Sequence, residues 1–251
     1  MNCYTSGHIH SLTICRAFAE GGGHQIVTLP ARLQPGPAFF YGQLRGLKPL
    51  LDQAIAEWRD WYYADNGYFR PGHYHGYYRI TLNAFQHDGR GFASPQRWER
   101  LGKPMLPWRR SGSSVLVCAP GQTFASLHGF DSARWVSETL ATLKAHTDRP
   151  IVVREKPAKG DRTTGLLDEL KNCHALVTHS SNSAVEALLF GVPVFCTAQC
   201  AASAMAESDL TRIETPARPE GREQWAWNLA ANQWTLTEMK NGTAWKELNN
   251  A

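Results

Sequence analysis

Residues 113–196 alternate apolar runs with helical segments, and this limits the possible folds more than any other feature of the chain. "SSVLVCAP" (Ser113–Pro120), "PIVVREKP" (Pro150–Pro157), "HALVTH" (His174–His179) and "VPVFC" (Val192–Cys196) read as strands. Between them, "SARWVSETLATLKAH" sets Trp135, Val136, Leu140 and Leu143 at helical spacing behind Ser132 as a cap. "TGLLDELKNC" and "NSAVEALLFG" are the next helices, the second stopped by Gly191. Strands that are apolar throughout, joined by helices, imply a parallel sheet covered on both faces.

The first part shows the same alternation less completely. "NCYTS" and "HQIVTLP" read as strands, and "SLTICRAFAEGG" and "LKPLLDQAIAEW" as helices. A segment with ten aromatics between Trp58 and Phe85 follows. Gly89 to Ser114 is rich in Gly, Pro, Arg and Trp and reads as a connection. The expected division is 1–108, 109–220, and a 221–251 tail of closing helices that docks back on the body.

With 251 residues, 43% apolar and 19% charged, the chain has material for one large or two small globular domains. There is no apolar run of membrane-spanning length and no signal-peptide pattern, so a cytoplasmic location is expected. None of the six cysteines forms a CxxC pair, so reduced, buried thiols are expected and no metal set. Residues 1–110 carry 13 Lys/Arg against 7 Asp/Glu, and six of the ten histidines. That balance suits an anionic partner on this side, or simply a solvated surface.

The stretch "THSSNSAVEALLFGVPVF" (Thr178–Phe195) places polar residues between a buried strand and a buried helix. Ligands of open parallel sheets bind beyond the carboxyl ends of strands. A helix start there, at Ser181 or Asn182, offers N–H groups and hydroxyls to a phosphate. Ordinary helix capping by the same residues remains open.

This stretch resembles the donor half of GT-B glycosyltransferases: a strand, a Ser/Gly-rich turn, an acidic residue on the helix, then a G-x-P strand. Sugar-nucleotide epimerases of that fold share the form. The resemblance implies that Ser180, Ser181, Asn182 and Ser183 meet donor phosphates and that Glu186 meets sugar or ribose hydroxyls, with His179 at the strand end a further donor-binding candidate. "VVREKPAKG" (Val152–Gly160) resembles the His-Pro segment of capsule-polysaccharide transferases, with Lys156-Pro157 in its place, so Arg154 and Lys156 are expected to neutralise phosphate. Gly121, Gln122 and Thr123 belong to a loop on the same edge. "SGHIHSLTICRAFAEGGGHQIVTL" (Ser6–Leu29) resembles the first strand–loop–helix of GT-B enzymes, in some of which a histidine is the general base. His8 matches that position, with His10 the near alternative, and an imidazole suits the task.

The fold expected is therefore α/β and GT-B-like: two Rossmann-like parallel-sheet domains facing a cleft, the N-terminal one reduced. The aromatic segment resembles parts of phage-encoded and capsule-type proteins. There Arg59, Tyr63, Arg70, Arg79, His73 and His75 are candidates to hold an acceptor, with Asp65 as a second base. The expected reaction moves a sugar from a nucleotide-sugar co-substrate, without metal or cofactor, to a surface glycan or to hydroxymethylated pyrimidine in phage DNA. A non-enzymatic nucleotide- or nucleic-acid-binding protein and a sugar-nucleotide epimerase are the alternatives. Oligomeric state stays open.

Overall fold

The computed structural model describes residues 1–72, 74–156 and 165–249. The chain divides into two units, 1–87 with 229–251, and 88–228.

The first unit begins with β1 (Asn2–Thr5), α1 (Ile9–Gly22), β2 (Gln25–Thr28) and β3 (Ala38–Tyr41). Then come α2 (Lys48–Ala56), β4 (Trp61–Asn66) and β5 (Tyr77–Leu82). Its sheet has the order β2-β1-β3-β4-β5, with a tenth strand from the chain tail beside β5. β2, β1, β3 and β4 run parallel, and β5 turns back antiparallel to β4. Helix α1 forms because Ser11, Ile14, Cys15 and Phe18 recur on one face, and all four are buried. Gly23, at φ 64, ends it, donating its N–H to the Ala19 carbonyl. Phe18 stacks on Phe39 of β3 at 4.2 Å, and such a fully buried ring contributes about 1.5–3 kcal/mol.

The second unit contains α3 (Gln96–Leu101), β6 (Ser114–Cys118), α4 (Gln122–Leu127), α5 (Ser132–Lys144) and β7 (Ile151–Arg154). It continues with α6 (Leu166–Leu170), β8 (Cys173–Thr178), α7 (Ser183–Leu189) and β9 (Val194–Cys196). All four strands are parallel, in the order β7-β6-β8-β9. Every residue of the central strand β8 is buried, which is why it is apolar almost throughout. Asp131 caps α5 by accepting from the Arg134 N–H.

In chain order both parallel sheets therefore read 2-1-3-4. That order makes a topological switch point between β1 and β3 in one unit and between β6 and β8 in the other, where open α/β sheets hold ligands.

The tail adds α8 (Arg222–Ala231), β10 (Gln233–Thr235), α9 (Leu236–Lys240) and α10 (Thr243–Asn249). β10 pairs with β5, and α9 carries a capping box between Thr235 and Glu238. Met239 and Ala244 pack into the core containing Phe18. The unit boundary at 87/88 lies earlier than the expected 108, because Gly89–Ser114 is part of the second unit. Asn228 ties it there, donating to the Gly89 and Gly91 carbonyls at 2.8 and 3.0 Å and accepting from the Ala93 N–H. The expected 221–251 tail likewise divides, since α8 runs from one unit into the other.

Candidate functional site

In the second unit the last row of the sheet reads Arg154, Cys118, Thr178, Cys196. The polar residues singled out in the sequence lie on it or beyond it. The Thr178 hydroxyl donates to the Cys118 carbonyl at 3.1 Å, closing the edge. His179 follows, stacked on Phe130 at 4.4 Å and flanked edge-on by Phe124 and Trp135. The Ser180 hydroxyl meets His179 Nδ1 at 3.0 Å. Burial, then the neighbouring His128, hold the His179 imidazole below the usual histidine value.

Helix α7 starts at Ser183, with Asn182 as its N-cap, one residue beyond the later of the expected starts, Ser181 or Asn182. Its first donors are already engaged. Ser183 N–H goes to the Ser181 hydroxyl, Ala184 N–H to the Ser181 carbonyl and Val185 N–H to the Asn182 carbonyl. The helix start is thus less of an anion cradle than its sequence implied. Glu186 stands exposed in its first turn.

The cations sit on the neighbouring strand. Arg154 is paired with Glu169 at 2.6 Å, so its charge is largely answered within the protein. Lys156 is exposed and lies over the β6–α4 turn, its Cδ 3.4 Å from where a Cβ at Gly121 would stand. Gly121 is the N-cap of α4, and Gln122 and Thr123 are exposed on its first turn. Pro157 to Gly160, the rest of that sequence segment, fall outside the described residues.

In the first unit the polar groups gather at the carboxyl ends of β1, β3 and β4. His8 is exposed and caps α1, its Nδ1 accepting from the His10 N–H at 3.4 Å. His10 is the histidine turned to the sheet. Its Nε2 is 2.9 Å from the Tyr41 hydroxyl at the end of β3, and its ring is edge-on to Tyr41 and Tyr74. Asp65 and Arg79 face one another across β4 and β5 and bond at 2.9 Å. Arg79 also donates to the Asn66 carbonyl and lies over the Tyr68 ring. Burial works against the Arg79 charge, but Asp65 and the surrounding phenols hold its pKa above the ordinary value. Burial and then Asp65 push both the Tyr41 and Tyr63 phenols up, so both stay protonated.

The candidate acceptor residues separate. Tyr63 and Arg79 belong to this cluster. Arg70 is exposed on the β4–β5 loop with φ 47, and His75 is exposed on the same loop. Arg59 precedes β4, at the opposite end of the strand from Asp65, bonded to Glu57 and the Gln34 carbonyl. His73 lies outside the described residues. Tyr41, the Phe124–Phe130–Trp135 collar and Glu169 were not visible as site residues in the sequence, because each reads locally as ordinary core or surface.

Histidines held below their usual value stabilise the fold only while neutral. His24, His174 and His179 are all lowered, burial being the first cause of each. In unfolded chain they protonate near pH 6.5. The melting temperature is therefore expected to hold at neutral pH and to fall as pH drops from about 6.5 towards the lower folded values. Calorimetry across that range checks this, and His179→Phe should flatten part of the fall.

No family model matches the sequence, and no curated protein does. Solved structures do. Thermosulfurimonas dismutans KpsC, described as a beta Kdo 2,4 transferase, superposes with a TM-score of 0.56 at 13% identity, over 91% of this chain and 89% of that one. The same organism's KpsC as a beta Kdo 2,7 transferase gives 0.54 at 11% identity, over 99% of both chains. At such identities the likeness is one of fold: the chain has an α/β architecture with parallel, Rossmann-like sheets, similar over nearly its whole length to these Kdo transferases.

Proposed function

We propose that the protein is a glycosyltransferase of GT-B type, moving a sugar from a nucleotide-sugar donor to an acceptor hydroxyl. The observation that carries this is the pair of 2-1-3-4 sheets with polar clusters at both switch points, on a chain of the same fold as two Kdo transferases. The donor belongs to the second unit. Lys156 over the Gly121 turn, with the Ser181 hydroxyl nearby on the same sheet edge, meets its phosphates, and Glu186 accepts from a sugar or ribose hydroxyl. Arg154, answered by Glu169, braces the strand end beside Lys156. Lys156 stabilises the departing phosphate in place of a metal.

The acceptor belongs to the first unit, and His10 is its general base. When Nε2–H donates to Tyr41, Nδ1 is the basic atom of the ring. The Asp65–Arg79 pair fixes the polar floor around Tyr41. A surface glycan and hydroxymethylated DNA are the two acceptors to assay.

A thermal-shift panel of nucleotide sugars tests the donor half. A ligand present at a hundred times its dissociation constant adds about 2.7 kcal/mol of stability. One nucleotide sugar is expected to raise the melting temperature, and Lys156→Ala or Glu186→Ala to weaken its binding about tenfold. No shift with any nucleotide sugar would sink the reading. A shift without sugar transfer to any acceptor would make the protein a nucleotide-binding protein instead.

A further inference from the structure

All six cysteines are unpaired thiols and buried, and two of them touch. Cys196 ends β9, and Cys200 follows after the loop Thr197–Gln199. Their sulfurs are 3.3 Å apart, against about 2.05 Å in a disulfide, so the two are already neighbours. The other thiols are muted: burial pushes Cys15 and Cys173 up to about 12, and Cys3 and Cys118 up as well. Cys200 runs the opposite way. The hydrogen bond it shares with Cys196, then the N–H groups of Ala202 and Ser203, hold it below the usual thiol value. Cys196 is pushed up in return, and it is the less buried residue of the two, 6% exposed against 1% for Cys200.

We propose that Cys196 and Cys200 form a peroxide-reactive dithiol, a modification site that closes to a reversible disulfide. With the shared proton on Cys200, which donates it across the 3.3 Å contact, the less buried Cys196 sulfur attacks a peroxide oxygen, giving sulfenic acid and hydroxide, and the hydroxide takes the proton of Cys200. The second thiolate then attacks the sulfenic sulfur and releases another hydroxide. Two thiol sulfurs are oxidised and one hydrogen peroxide is reduced, so the electrons balance. The loop so closed carries Thr197, which accepts from Trp135 Nε1 at 2.8 Å, and Ala198, whose N–H reaches the His179 carbonyl at 3.0 Å. Oxidation therefore stiffens the segment that backs His179, whatever the protein's substrate.

The test uses the native full-length chain. It is exposed to dilute hydrogen peroxide and then unfolded in N-ethylmaleimide, and each cysteine is mapped by mass spectrometry. Cys196 and Cys200 are expected to escape the label as a linked pair while the other four take it, and dithiothreitol should restore labelling. Cys196→Ser and Cys200→Ser, each checked for an unchanged melting profile, should abolish the pair. The proposal is overturned if both cysteines still label after peroxide. It is equally overturned if either ends as an unlinked oxidised acid, or if the bond forms only when oxidation is done in denaturant.

Discussion

His10→Ala is expected to lower turnover by about 10²–10⁴-fold, the range for removing a general base, while donor affinity stays within about twofold. The expectation rests on the orientation of two histidines only two residues apart. His10 turns inward to the Tyr41 hydroxyl at 2.9 Å, among Tyr74, Tyr78 and the Asp65–Arg79 pair. His8 turns outward and accepts only a weak 3.4 Å bond from the His10 N–H. His8→Ala should therefore cost at most about 1 kcal/mol of helix stability and leave turnover nearly intact. Steady-state kinetics on both variants with the donor found in the thermal panel decides it. If His8→Ala is the silent enzyme and His10→Ala the active one, the base has been assigned to the wrong side of the helix start.

Gly191→Ala is expected to destabilise the second unit by more than about 3 kcal/mol. Two penalties combine there. Gly191 has φ 76, where a residue with a Cβ is strained by about 1–2 kcal/mol. The added Cβ would also run into the Pro107 carbonyl, and this is backbone that cannot step aside. Leu106 N–H bonds the Leu189 carbonyl at 2.8 Å, and Arg109 N–H bonds the Gly191 carbonyl at 2.7 Å. Pushing residues 106–109 away breaks these bonds as well. Gly102→Ala is the control: Gly102 has φ 57 but open space where its Cβ would stand, so it should cost only the strain. Urea unfolding of the two variants separates strain from collision. Equal losses would mean that the 106–109 segment yields freely.

The second unit was legible in the sequence because β6, β8 and β9 are buried and so almost wholly apolar, and the edge strand β7 is apolar although partly exposed. Its helices follow from the spacing of Trp135, Leu140 and Leu143 and from the stop at Gly191. The first unit was less legible. β3, "AFFY", and β4, "WYYADN", are aromatic strands that carry neither alternation nor a helical period. The whole Trp58–Phe85 stretch therefore read as one undivided segment. Gly89–Ser114 looked like a linker for a related reason. Its Gly and Pro content is a local signal, whereas the bonds that fold it in come from Asn228, more than 130 residues away.

The site divides the same way. His179 to Ser183 announced themselves as polar residues where a buried strand ends. Tyr41 did not, since an aromatic at the end of a buried strand looks like core until a histidine is found on its hydroxyl. The sequence also suggested more free donors at the start of α7 than exist, because Ser181 satisfies two of them with its own hydroxyl and carbonyl.

The carboxyl edge of the second sheet is expected to hold the nucleotide-sugar donor. Amide chemical-shift mapping of isotope-labelled protein, titrated with the stabilising nucleotide sugar, tests it most directly. The expected result is a saturable set of shifts at Ala119–Thr123, Arg154–Lys156 and Thr178–Glu186, whose midpoint moves to about tenfold higher ligand in Lys156→Ala. Shifts confined to other parts of the chain, or none at saturating ligand, would contradict it.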